Sequence, residues 1–130
     1  MKKKMNKKLA KITSATLEIK ERGILNFWIF VDYEDFGSQG IGGLALDQWD
    51  KDKDKRVGTA YGCEMIRQLL ETLNVDDFSE MKDQIIWVHG EGEGLRFKPK
   101  GIEPLKVSRL NKKPLIFDDV FNEFGNSLHE

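Results

Sequence analysis

Apolar and polar positions alternate through two adjoining segments near the start of the chain. Over residues 12–20, Ala15, Leu17 and Ile19 take one side and Ser14, Thr16 and Glu18 the other, the period-two pattern of a half-buried strand. Glu21-Arg22-Gly23 turns it. Residues 24–33 carry the strongest strand pattern, with Leu25, Phe27, Ile29 and Val31 on one face and Asn26, Trp28, Phe30 and Asp32 on the other. Both faces carry bulk, so Trp28 and Phe30 are expected to be covered by a helix, another sheet or a second subunit. A loop over 33–38 leads to a glycine-rich third strand at 40–47, which completes a three-stranded meander.

The pattern then changes. Residues 47–56 hold eight charged residues in ten and no apolar periodicity, and predict an exposed loop. In 58–73, Tyr61, Met65, Ile66, Leu69, Leu70 and Leu73 recur at helical spacing opposite Glu64, Arg67, Gln68, Glu71 and Thr72, which predicts the main core helix. Asn74 is its expected end, and 76–81 predicts a short second helical turn. Residues 84–89 predict a strand, Gly90 to Gly94 a flexible turn, and 95–104 a hairpin partner whose Pro99 and Pro104 suit an edge. Phe117, Phe121 and Phe124 stand at helical spacing in a C-terminal arm that is expected to cover the monomer's own core, with a crossing to a neighbour as the alternative. The predicted fold class is α+β: an antiparallel sheet packed on one main amphipathic helix, with a short second helix and a C-terminal arm.

Composition bounds this picture. At 130 residues, with 39% hydrophobic and 33% charged positions, the chain has the profile of one soluble domain with a single core. Cys63 has no partner for an intramolecular disulfide and fits a reducing cytoplasm. The formal net charge of −1 conceals an asymmetry, because Lys2, Lys3, Lys4, Lys7, Lys8 and Lys11 all precede residue 12. Residues 1–11 are therefore read as a basic flexible tail, solvated or touching an anionic surface, and residues 12–130 as a single domain. No apolar run follows the lysines, and no segment approaches the ~20 apolar residues of a bilayer span. No membrane association is expected.

Most candidate chemistry fails on inspection. Asp50, Asp52 and Asp54 alternate like a calcium loop, but Lys55 stands where the loop needs glycine and Tyr61 where it needs a bidentate glutamate. His89, Glu91 and Glu93 do not complete a metal site, since the only other histidine is the distant His129. The glycines at 90, 92 and 94 match neither a dinucleotide fingerprint nor a P-loop. No carboxylate sits in an apolar setting, and no serine has a nucleophile context. Neither enzymatic activity nor a cofactor or metal is expected.

Binding is better supported. Gly40, Gly42 and Gly43 weaken a strand by roughly 0.5–1 kcal/mol each relative to alanine, which suggests a close approach by a ligand or another subunit. Arg56, Gly58 and Thr59 lie at the start of the main helix, where free N–H groups and the positive dipole end favour an anion; the alternative is an ordinary capped helix. Arg96 and Arg109 add cations near Phe97, and Tyr61 or Phe97 would stack on a base. Solvent-facing edge charges are the alternative for these.

Glu21 to Leu25, Gln39 to Asp47, and Gly58-Thr59-Ala60-Tyr61-Gly62 through Arg67 together resemble a group of small bacteriophage-encoded proteins, most closely the first type of Thoeris anti-defence protein. The resemblance covers most of residues 12–105. It implies a homo-oligomeric sponge that sequesters cyclic nucleotide immune signals, cyclic ADP-ribose isomers and in some members cyclic oligonucleotides, between subunits without cleaving them. Direct nucleic-acid binding is not expected. The rival reading is a phage inhibitor acting by direct protein contact, such as an anti-CRISPR protein.

Overall fold

A computed structural model describes residues 5–20, 22–35, 37–105 and 114–125. The chain runs β1 (Asn6–Lys20), β2 (Ile24–Tyr33), β3 (Ser38–Ala45), β4 (Asp47–Asp50), β5 (Lys55–Gly58), α1 (Ala60–Leu73), a 3-10 turn at Phe78–Met81, β6 (Ile85–Glu91), a second such turn at Gly94–Arg96, β7 (Lys98–Pro104), β8 (Leu115–Ile116) and α2 (Phe117–Phe124). The fold is α+β. Six strands form an antiparallel sheet in the order β3-β2-β1-β6-β7-β8, and β4 and β5 form a separate hairpin.

The meander forms where alternation placed it, with Leu17 opposite Phe27 and Ala15 opposite Ile29. Its first strand begins earlier than expected. Asn6 to Lys11, read as tail, pair with Gly90 to Ile85, so the supposed tail is the seam between the two halves of the sheet. Leu9 and Ala10 stand between lysines whose long stems lie along the surface while their charges find partners: Lys8 Nζ sits 2.8 Å from Glu93, and Lys7 Nζ lies 4.6 Å from the centroid of Trp87.

The expected loop at 47–56 is instead the β4–β5 hairpin. Asp50 accepts from the backbone N–H groups of Asp52 and Lys53, and Asp54 takes a positive φ of 52° to close the turn. The short helical turn predicted over 76–81 is the 3-10 turn at Phe78–Met81. β7 has β8 outside it, but β8 pairs only with Gly101 and Ile102, so Pro99 and Pro104 fall where no outer ladder needs their missing donors.

One face of the sheet receives the helices of the described residues. Ile12, Phe27, Ile29, Ile41, Ile86, Val88 and Ile102 are fully buried or nearly so, with Met65 and Leu69 of α1 among them. α2 packs on α1 and beside β7 and β8, where Phe117 meets Phe27 edge-on at 5.7 Å and Phe121 meets Tyr61 at 5.4 Å. The C-terminal arm thus covers this chain's own core.

Candidate functional site

Among the described residues, no helix packs on the opposite face of the sheet. β2 presents Trp28, Phe30 and Asp32 there, β1 presents Lys7, Leu9, Lys11, Ser14, Thr16 and Glu18, and β6 presents Ile85, Trp87 and His89, as the registers require. Trp28 and Phe30 stack with centroids 5.8 Å apart and planes 16° from parallel. Phe30 is 40% exposed and Ile85 39%. Beside the stack, a shallow cleft of about 290 Å³ is lined by Leu9, Ala10, Lys11, Asp32, Tyr33, Glu34 and Ile85. Its size is just under the roughly 300–1,000 Å³ typical of ligand pockets. Ser38 Oγ donates to Asp32, and His89 Nε2 lies 2.8 Å from Glu103 at the far end of the face.

The glycines expected to admit a ligand are occupied by the chain's own rings. A Cβ on Gly40 would lie 3.1 Å from both Trp28 and Phe30. One on Gly43, whose φ is 71°, would run into the Trp28 indole, and one on Gly42 would meet Phe27 O at 2.6 Å. The missing side chains therefore let Trp28 lie flat across β3. The close approach read from the sequence is real, but its occupant is intramolecular.

The groups at the start of α1 are brought together and most of their polar atoms are already engaged, Arg56 Nε being buried with no hydrogen-bond partner among the described residues. Thr59 is the N-cap: its Oγ1 accepts from Gly62 N at 2.8 Å and donates to Leu46 O at 2.7 Å, the ordinary capping arrangement. Arg56 Nη2 donates to Asp47 Oδ1 at 2.8 Å and to its carbonyl at 3.2 Å, and Asp47 also accepts from Leu25 N. Burial pushes the Asp47 carboxyl up, but these hydrogen bonds and the guanidinium charge outweigh it and hold Asp47 below its usual value. The Asp47 hydrogen bond in turn raises Arg56. Gly58 has open space where a Cβ would stand.

Tyr61 is 5% exposed and Phe97 2%, so neither ring offers a face to a base. Burial, with the Asp118 carboxylate adding to it, raises the Tyr61 hydroxyl. Phe97 packs edge-on against Tyr33, and Gln39 Nε2 donates to its carbonyl; burial pushes Tyr33 up to about 12.

Arg96 is exposed, but it adjoins Phe97 at the Tyr33 end of β2, whereas Arg56 is tied through Asp47 to Leu25 at the other end. Eight strand residues apart is roughly 26 Å, so these two arginines do not form one site. Arg109 lies outside the described residues, as does His129.

Sequence reasoning singled out Trp28 and Phe30 but missed Lys7, Leu9, Lys11, Ile85 and Trp87. The available signal was the alternation of Ile86 and Val88 with Trp87 and His89, which separates a buried side from one shared with Trp28. Among the described residues, no three His, Cys, Asp or Glu side chains gather as a metal site, and no helix is long and apolar enough to cross a membrane. No protein-family model, curated protein or solved structure matches the chain.

Proposed function

We propose that this chain is a binding protein that holds its ligand without altering it, and that the helix-free face of the sheet is the binding surface. The observation that carries this reading is the near-parallel Trp28–Phe30 stack, partly exposed beside an apolar cleft and held flat by the glycines of β3. Fixed aromatic rings on a sheet suit a nucleobase, at about 1–3 kcal/mol per stacked base, and Lys11, opposite Asp32 and next along the face from Phe30, suits its phosphates. The ligand class is a cyclic nucleotide immune signal, in keeping with the phage anti-defence resemblance, and the setting is the host cytoplasm. The helix-start residues give way to these as ligand contacts, because Thr59 Oγ1 and Arg56 Nη2 serve the fold.

The test is retention. Purified protein is incubated with cyclic ADP-ribose isomers and cyclic oligonucleotides, separated from free nucleotide, and heated, and the released molecules are identified by mass spectrometry. One member of the panel is expected to return intact, and Phe30→Ala is expected to weaken its binding about 5- to 160-fold. Retention of none at micromolar protein, or release of a cleaved product, overturns the reading.

A direct protein contact is the second reading. It is favoured by the mixed charge of the same face, where Glu18, Asp32 and Glu103 stand among the lysines as in the polar rim of a protein interface. One defined host protein bound to the native chain and lost with Phe30→Ala, with no small molecule released on heating, would support it.

A further inference from the structure

β6 stops pairing with β1 at Lys11. Ile12 closes that side, donating its N–H to Gln84 O at 2.8 Å and accepting from Asp83 N at 2.7 Å. On its other side β1 continues along β2 as far as Lys20. Among the described residues no strand pairs with the remaining edge, whose lower end is marked by the 3-10 turn Phe78–Met81 packed against β1.

The backbone phase fixes which groups that edge offers. Ile12 turns both polar groups toward the β6 side, and the bulge at Thr13 adds one residue before Ser14 pairs with Phe30. Successive strand residues turn their N–H and C=O to alternate sides, so Ala15, Leu17 and Ile19 carry the outward groups. They are also the apolar residues of the segment, with Leu17 41% and Ile19 66% exposed.

We propose that this edge pairs with the same edge of a second copy, antiparallel about a two-fold axis at Leu17. Leu17 then faces Leu17 and Ala15 faces Ile19, so every outward group of the segment enters a hydrogen-bonded pair and apolar side chains meet on one face. On the other face Thr16 falls opposite Glu18, and Ser14 opposite Lys20. Sliding two residues one way sets Glu18 against Glu18, a like-charge pair; sliding the other way sets Ile19 against the bulge at Thr13. Charge and backbone phase thus select one register. The opposite edge strand, β3, has Gly40, Gly42 and Gly43 and an irregularity near Asn26, with little to fix a partner's position. The union is isologous and closed, as a two-fold pairing must be. It supplies the copies among which the proposed ligand would be held, and its test reads assembly alone, so the two can fail separately.

Cys63 is exposed, so the full chain is first made Cys63→Ser. In that background Leu17→Cys places two thiols across the axis. Cα atoms of a hydrogen-bonded antiparallel pair stand about 5.5 Å apart, within the roughly 4.4–6.8 Å a disulfide spans. Mild oxidation is expected to convert most of this variant to a covalent dimer and to leave Ser14→Cys, displaced along the strand, monomeric. Sedimentation of the unaltered chain should give a dimer at micromolar concentration, and Leu17→Lys a monomer with unchanged far-ultraviolet circular dichroism. A monomeric unaltered chain, equal cross-linking at positions 14 and 17, or a Leu17→Lys variant that stays dimeric overturns the proposal.

Discussion

Gly43 and Asp47 show how differently two residues can disclose their roles. Gly43 has a positive φ of 71° and lies under the Trp28 indole. The glycine cluster correctly signalled a crowded backbone, but the crowding ring comes from β2, and nothing local to residues 40–43 names it. Asp47 looked like the first of many solvated charges, yet its side chain is only 8% exposed and binds both Arg56 and Leu25 N.

Because its folded-state pKa is lowered, the stability Asp47 contributes is fully present above the unfolded carboxylate value of about 4. It is lost as pH falls through the lower folded value. Asp47→Asn should therefore cost about 1–3 kcal/mol near neutral pH, with the gap closing in acid, measured as urea midpoints from pH 7 down to the acid transition. A gap that does not change with pH would show that the ion pair is not the cause.

At the scale of elements, legibility followed how much of each element's stabilisation lies in side-chain pattern. α1 was plain, since Met65, Leu69 and Leu73 mark its buried stripe and Thr59 its start. β4 and β5 were not. Their ladder is made by backbone, Trp49 is 53% exposed, and Lys51 to Asp54 belong to the turn, so a hydrophobic pattern had almost nothing to record. The hairpin nevertheless positions the helix, because Thr59 bonds both Gly62 of α1 and Leu46 just before β4. Thr59→Ala loses the cap and the second bond together and should lower stability by about 1–2 kcal/mol. The check is the shift in urea midpoint, with little change in helical circular dichroism at low denaturant.

At the scale of the whole molecule, the sheet has one face given to its own core and, among the described residues, no helix on the other. That division was legible in β2, whose two bulky faces could not both be satisfied by one helix. The candidate site was less so: the aromatic pair was visible, but its neighbours Leu9, Lys11, Ile85 and Trp87 join it only through the β1–β6 pairing, which no local pattern encodes. Removing residues 1–11, harmless to a solvated tail, would strip β1 of every residue that pairs with β6. The truncated chain is expected to lose cooperative unfolding, measured by circular dichroism and tryptophan emission; an intact sharp transition would contradict the seam's importance.

The seam carries one more consequence, in time rather than in space. Residue 6 is made well before its partner, residue 90, so during synthesis β1 waits as the open margin of a three-strand meander. Loop closure over such a span carries the largest entropic cost in the sheet. Until residues 85–90 have been made, the lysine-bearing side of the meander has no strand to close it.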